Sequence, residues 1–586
     1  MSPYVLTTPI VIGSNATLTI EPGCEIRLGS SHSIIVGSPA LGSGTLVADG
    51  SEDAPLVFTS ASDQPQPGDW NSIIFSVDSV GTVLDPVTGE YVSGSIVKHA
   101  EFEFGGGGAG DSGALTIVGD AVRLDHIKVR DIANHGLYVD LFNDSRHLTI
   151  TNSHFIRCHA TKADGFSGVR GGGININYGS QHLLSNILVE DCSSTELGGG
   201  VAIANAWQST FEFITIRNCN ADEEGGGAYF GTPEATITDL TIDSCTAEKS
   251  GGMKYFGDNS VMDRITITNN GGDLNEYYAG AYIDSDNLLL NNAYFGHNKA
   301  GTLSSSGVAG LFLSGSTPIL ENCVFESNEA SNGGGALSIH SYGAILRDCV
   351  FRTNKVTRVP SNGVAAIGAY RPDILLERCL FDSNVSTGIA GAIYVESSST
   401  TIKDCIFHNN LSFSDGGALF VDGDRLTITN SEFRLNSAVR GGAIYFDSQA
   451  NSPSVAGDPI AGVHNTFIAN IDEDGYAIYN DIPFRTDGSN DFDLSGNCWG
   501  NLTISEVQDV IFDYFDDTSS SIAAVSSIFP CSCLADTNGD GMLSPADFSA
   551  WVAAFNAMAP KCDQNSDGLC SPADFSAWVA NYNAGC

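Results

Sequence analysis

The chain has 586 residues, of which 66 are glycine and only 16% are charged, which gives it length for a large core and excludes a disordered or coiled-coil chain. Its 69 acidic and 26 basic residues leave a formal net charge of −43. A phosphate backbone would be repelled by that charge, so generic nucleic-acid binding is excluded, and no stretch is long and apolar enough to be a transmembrane segment.

In chain order, the first strand-like runs are T-L-T-I-E-P-G (Thr17 to Gly23), A-P-L-V-F-T-S (Ala54 to Ser60) and the tripeptide G-D-W (Gly68 to Trp70). These runs resemble the first coils of many secreted bacterial β-helix proteins, and residues 1–95 are expected to cap a rod whose end would otherwise expose strand edges. Met1-Ser2-Pro3-Tyr4 leads directly into strand sequence without a signal-peptide pattern. The export signal is therefore expected upstream of this chain, and the protein is expected to be secreted or at the cell surface.

The middle of the chain is a repeat. F-x-x-N recurs at Phe295–Asn298, Phe325–Asn328, Phe351–Asn354, Phe381–Asn384, Phe407–Asn410, Phe433–Asn436 and Phe467–Asn470. Cys158, Cys192, Cys219, Cys245 and Asn270 continue the asparagine column upstream, some 25 to 34 residues apart. Small-residue steps and short strands follow: A-G-A-I-Y-V from Ala390, G-G-A-L-F-V from Gly416, G-G-A-I-Y-F from Gly441. Twelve markers without helical periodicity predict an all-β chain, a right-handed parallel β-helix over residues 96–500 of the pectin-lyase-like solenoid kind. At about 4.8 Å per coil, those twelve coils span on the order of 60 Å.

Stacking makes like positions neighbours. The phenylalanines should form a buried ladder, Cys323, Cys349, Cys379 and Cys405 a second one, and the asparagines should satisfy backbone groups of the next coil. Charges alternate in sign: Glu190, Arg217, Asp243; Glu326, Arg352, Asp382, His408, Arg434; Glu321, Arg347, Glu377, Lys403; Asn322, Asp348, Arg378, Asp404. These predict solvent-facing ladders that avoid stacking like charges. Fifteen cysteines is an odd number; those in the rod read as packed thiols and those at the end of the chain as disulfide-forming.

The repeat F-x-x-N with G-G-A-[IL] is similar to that of the chlamydial polymorphic outer-membrane proteins over roughly residues 150–480. That resemblance implies a β-helical, adhesin-like surface rod. An aromatic series after the glycine step, Tyr229, Tyr255, Tyr282, Phe312, Tyr394, Phe420 and Tyr445, is the candidate glycan-binding set, with facing uncertain by one residue. No catalytic set is legible. The histidines are scattered (His135, His154, His159, His297, His340, His408), and His135 is the first to test. Asp222-Glu223-Glu224 and Asp472-Glu473-Asp474 read as solvated turns.

N-C-W-G (Asn497 to Gly500) reads as the closing motif of the last coil, and 501–530 as a closing segment or linker. The final residues, 531–586, write one loop twice: D-T-N-G-D-G-M-L-S-P-A-D from Asp536 and D-Q-N-S-D-G-L-C-S-P-A-D from Asp563. Oxygen ligands for a hard cation fall at Asp536, Asn538, Asp540, the Met542 carbonyl, Ser544 and Asp547, and again at Asp563, Asn565, Asp567, the Leu569 carbonyl, Ser571 and Asp574. Two Ca2+ sites are therefore expected. Each loop precedes a near-identical helical run, Phe548 to Asn556 and Phe575 to Asn583. This duplicated loop and helix resembles the type I dockerin, which implies a cohesin-like module or cell-surface anchor as partner; its cysteines depart from the cellulosomal pattern.

The expectation is a secreted or cell-surface β-helical binding or scaffold protein, adhesin-like and interacting with polysaccharide, attached through a dockerin-like EF-hand-type module. The alternative is a secreted β-helix polysaccharide lyase or glycoside hydrolase acting on acidic polysaccharide, marked by a convergent cluster of carboxylates, or of Arg and Lys, across adjacent coils.

Overall fold

The computed structural model describes residues 2–584 apart from 109–111, 121, 142–146, 162–169, 272–276, 302–306, 359–362, 397–398, 424, 451–454, 456–463, 486–490, 529–534, 539–543 and 566–568. The chain winds into a parallel solenoid of about 17 turns. Each coil contributes strands to two long parallel sheets. The first holds, among others, Leu183–Glu190, Thr210–Arg217 and Thr236–Asp243, and the second Ala281–Asp284, Leu311–Ser314 and Leu337–Ile339. Five two-residue strands from Lys299–Ala300 to Leu411–Ser412 add a third, shorter sheet.

Two residues per coil bend the chain at the first sheet. They lie six and one before each marker and adopt the left-handed conformation: Asn322 and Ser327, Asp348 and Thr353, Arg378 and Ser383, Asp404 and Asn409, with φ of 53° to 55°. Asn and Asp tolerate that region best among residues with a Cβ, which accounts for Asn322, Asp348 and Asp404 in the column six before the marker.

Phe295, Phe325, Phe351, Phe381, Phe407, Phe433 and Phe467 stack with centroids 4.7–5.0 Å apart and planes within 9°. Trp499 of the N-C-W-G run ends the column 4.6 Å from Phe467. The asparagine column is continuous beside it. Asn384 Oδ1 accepts from the backbone N–H of Asn354 at 3.1 Å and from its Nδ2 at 2.9 Å, while Asn384 Nδ2 donates to the Phe351 carbonyl and to Asn410 Oδ1, both at 2.9 Å. Cys323, Cys349, Cys379 and Cys405 are buried free thiols, as are Cys158, Cys192, Cys219 and Cys245. They pack as small apolar residues, with Sγ of Cys349, Cys379 and Cys405 each 3.6 Å from a leucine carbonyl of the preceding coil.

The charge ladders lie on one face in the expected order. Arg347 pairs with Glu321 at 3.1 Å and Glu377 at 3.2 Å, and Lys403 with Glu377 at 3.0 Å. Arg378 forks onto both oxygens of Asp348 at 2.8 Å, and Arg217 reaches Glu190 at 2.7 Å. Arg352 meets Glu326 at 2.8 Å and His408 meets Asp382 at 2.8 Å. Such exposed pairs are each worth about 0–1 kcal/mol, so they serve register more than stability. Asp472 corrects the expectation of a solvated turn: it is buried, and its carboxylate accepts the backbone N–H groups of Gly441, Asp474 and Tyr476.

Beyond the rod, helices Pro545–Asn556 (α1) and Pro572–Ala584 (α2) pack through Trp551 and Trp578, whose rings lie 6.3 Å apart, and Phe548 and Phe575. Cys562 and Cys570 form a disulfide, and Cys498, counted with the rod thiols, is also disulfide-bonded.

Candidate functional site

Strands of the second sheet turn alternate side chains outward, and register aligns these into columns along the rod. One outward column runs Tyr229, Lys254, Tyr282, Phe312, Ser338, Gly368, Tyr394, Phe420, Tyr445, Tyr479, Phe512. Where that position holds Lys254, Ser338 or Gly368, the ring comes from two residues further on, as Phe256, His340 and Tyr370. At Gly368 the Tyr370 ring lies where a Cβ would stand, 2.6 Å from it, so the ring fills the space a side chain would take. The result is a ribbon of eleven rings from Tyr229 to Phe512, neighbouring centroids 4.1–6.0 Å apart.

The ribbon consists of two stacked blocks and two breaks. Tyr282, Phe312, His340 and Tyr370 lie within 20° of their neighbours' planes, and Phe420, Tyr445, Tyr479 and Phe512 within 29°. Phe256 meets its neighbours at 57° and 53°, and Tyr394 at 58° and 45°. A ring inside a stack gives solvent its edge only. A tilted ring exposes part of its face, the surface that an apolar sugar face or a cation covers.

Six of the seven aromatics expected on this face stand in its outward column, but Phe420 and Tyr445, at 8% and 2% exposure, are buried there in an apolar cluster with Val364 and Ala390 and so correct the expectation of an open ring surface at those two positions. Tyr255 is a further correction: it is fully buried, with its hydroxyl bonded to the Thr232 carbonyl at 2.8 Å and Ser260 Oγ at 2.6 Å. It stands three residues after its glycine step, whereas Tyr229 stands two after, and one residue exchanges the faces of a strand.

Beside the second block lies a column of carboxylates. Glu396, Asp422, Asp447 and Asp481 follow the strands of four successive coils, each backbone N–H donating to the preceding coil. Like charges stacked in register repel one another. Burial raises the Asp422 pKa; the Tyr394 hydroxyl, donating to its Oδ2 at 3.1 Å, opposes this, and Asp447 and Glu396 add to it, with a net shift upward. Tyr445 donates to Asp481 Oδ2 at 2.7 Å. Burial, then the neighbouring carboxylates, pushes the Tyr394 and Tyr445 hydroxyls well up, and burial pushes Tyr370 up to about 12. These hydroxyls are donors at physiological pH and not bases.

Two cations on this face are committed to carboxylates, and a third, Arg170, lies over the Tyr229 ring at 5.7 Å. Arg440 forks onto Asp415 at 2.6 and 2.8 Å and lies over Tyr445 at 4.7 Å and Tyr479 at 5.4 Å. Lys254 pairs with Glu224 and lies over Phe256 at 4.9 Å.

The Asp422 shift has a consequence for stability. A carboxyl whose folded pKa is raised binds its proton more tightly when folded, so its contribution is fully present below the unfolded value and lost as pH rises through the folded one. Wild type is expected to lose stability relative to Asp422→Asn as pH rises from the ordinary aspartate value of 3.8. Parallel melting curves for the two proteins across pH would count against this.

His135 is buried, with Nδ1 2.8 Å from the Gly171 carbonyl, a place in the core and not in a cleft. In the terminal loops, Asp547 and Asp574 are buried at the loop ends. For Asp547, burial would raise the pKa, but the N–H groups of Ser544 at 2.8 Å and Asn538 at 3.2 Å bring it down. For Asp574, Ser571 at 2.7 Å, Gln564 at 2.9 Å and Asn565 at 3.2 Å do the same. Asp536, Asn538, Ser544, Asp563, Asn565, Leu569 and Ser571 lie in the described parts of these loops, while Asp540, Met542 and Asp567 lie outside the described residues. Among the described residues no three His, Cys, Asp or Glu side chains converge as a metal site.

Comparison with known proteins bears on the rod. A family model described as right handed beta helix region matches residues 302–460, and one described as pectate-lyase like beta helix domain matches residues 1–119. No curated protein matches the chain. Solved structures that align with it include a mannuronic acid specific polysaccharide family 6 lyase from human gut microbiota, at 12% identity over 97% of this chain and 98% of that one, with TM-score 0.24. PfbA, a surface adhesin of Streptococcus pneumoniae, aligns at 9% identity over 76% and 83%, with TM-score 0.22. The tailspike of Pseudomonas phage phi297 aligns at 11% over 78% and 71%, with TM-score 0.26. The two family models and the stacked parallel coils together make this chain a right-handed parallel β-helix of pectate-lyase-like architecture.

Proposed function

We propose that this is a secreted or cell-surface glycan-binding rod, anchored or assembled through a terminal module that takes two Ca2+ ions. The observation that carries the reading is the aromatic ribbon broken by tilted rings at Phe256 and Tyr394. A purely structural stack would be continuous, like the buried phenylalanine column; an outward stack interrupted beside carboxylates and tyrosine hydroxyls combines the apolar surface and the polar groups that sugar recognition needs. The test is a titration calorimetry screen of the full chain against neutral, amino and acidic polysaccharides. Binding to none of them sinks the reading.

A second reading is favoured by one observation, the raised Asp422 carboxyl stacked between Glu396 and Asp447. Two carboxyl groups side by side in unequal surroundings are what a glycoside hydrolase uses, one as general acid to the leaving oxygen and the other as base or nucleophile. A lyase is less well served, because the tyrosines are held as donors and Lys254 and Arg440 are neutralised. Release of reducing ends from a bound glycan, abolished by Asp422→Asn, would establish the hydrolase; binding without turnover leaves the rod a binding protein.

For the terminal module, repeated oxygen ligands in both loops support calcium binding. Removing Ca2+ with a chelator is expected to lower the melting temperature of the module's transition, and adding Ca2+ back to restore it. Asp547→Ala and Asp574→Ala should each weaken the Ca2+ response. A melting curve indifferent to chelator would remove calcium from this account.

A further inference from the structure

The ribbon's N-terminal break adjoins a cavity that the glycan reading does not explain. Gly231 faces outward next to Phe256 in register, and a Cβ there would meet nothing closer than the Ala204 Cα at 3.7 Å. Two successive coils thus carry almost no side chain at this position. The space left is a cavity of about 430 Å³ bounded by Asn205, Trp207, Phe256, Asp258, Asp284 and Asp286. That volume is in the range of small-molecule sites. Trp207, one wall of this cavity, is 47% exposed, a large apolar surface left open to solvent.

We infer that this cavity is a binding site for a sugar residue carrying a protonated amino group. The inference rests on the glycan-binding reading and names the class of sugar. The aromatic walls come first: Phe256, whose ring Lys254 already covers at 4.9 Å, offers an apolar wall to a pyranose, and Trp207 offers ring surface to a cation as well, because a ring face is negative. The carboxylates then decide the charge. Asp258 Oδ1 accepts the Asp286 N–H at 3.0 Å and Asp286 Oδ1 accepts the Ser316 N–H at 2.7 Å, so loop hydrogen bonds fix both groups at the rim. Among the described residues, no hydrogen bond or ion pair reaches the Asp284 carboxylate and no basic side chain lines the cavity. A uronate would meet three carboxylates and be repelled. An ammonium group satisfies the carboxylates and the Trp207 ring face together, while the sugar ring covers the apolar wall.

The experiment is calorimetry of the full chain with glucosamine oligomers, their N-acetylated counterparts, neutral gluco-oligomers, oligogalacturonates and oligolysine. The free-amine oligomer is expected to bind at least tenfold more tightly than its N-acetylated form, and the preference should shrink as salt is raised. Asp284→Asn should abolish that preference while leaving neutral-sugar binding in place, and Trp207→Ala, at an exposed position, should weaken the amino oligomer at least tenfold without altering the fold by circular dichroism. Equal binding of the free and N-acetylated oligomers overturns the inference while the glycan reading stands. Oligolysine binding as tightly as the glucosamine oligomer also overturns it, since the cavity would then read charge alone. Failure of every saccharide to bind overturns both.

Discussion

Replacing Asn384 by alanine is expected to destabilise its coil by about 4 kcal/mol, because two buried donors of Asn354, its backbone N–H at 3.1 Å and its Nδ2 at 2.9 Å, lose their acceptor. Each orphaned buried donor costs about 1–3 kcal/mol. The neighbouring coils stay paired, so the damage is local and the natural readout is residue-resolved hydrogen exchange. The Asn354 amide should exchange far faster than that of Asn298, two coils away. Asn384→Cys should be milder, because cysteine occupies the same column upstream, where Cys245 Sγ accepts the Cys219 N–H at 3.4 Å. Equal exchange rates for Asn354 in wild type and Asn384→Ala would show that the ladder is decoration.

The second large effect concerns binding. Tyr394→Ala removes the tilted ring between the two stacked blocks and the hydroxyl bonded to Asp422, and should weaken a bound glycan by about 2 kcal/mol, roughly 30-fold in Kd. Phe312→Ala, inside a stack where Tyr282 and His340 already cover its faces at 5.1 and 4.6 Å, should change affinity much less. Affinities that fall equally for the two variants would mean that the ribbon binds by area alone and that its breaks are incidental.

The rod was largely legible in the sequence, because one marker column fixes every other column of a coil. The Phe295 to Phe467 stack, the thiol ladder and the pairing of Arg347 with Glu321 and Glu377 all follow from counting residues back from one asparagine. The outward face was less legible, since its residues are counted from the glycine step and the step varies by one residue, as Tyr255 shows. His340 and Tyr370 were missed because their rings fill space left by Ser338 and Gly368. The carboxylate column was in plain view: I-Y-V-E, L-F-V-D, I-Y-F-D and I-Y-N-D end at Glu396, Asp422, Asp447 and Asp481, one residue beyond where the strand motif was read. Half-buried outward positions escape pattern reading in general, because a ring packed on another ring and a ring packed on a ligand have the same sequence.

The single asparagine column also sets how the molecule would carry a load. Coils such as the one between Asn384 and Asn410 are joined to their neighbours by bonds that all run along the axis, and each returns 26 residues to the chain when it comes away. Pulled by its ends, the rod would resist as links in series, and each coil released would lengthen it by at most about 90 Å. A rod built this way yields in steps and does not snap.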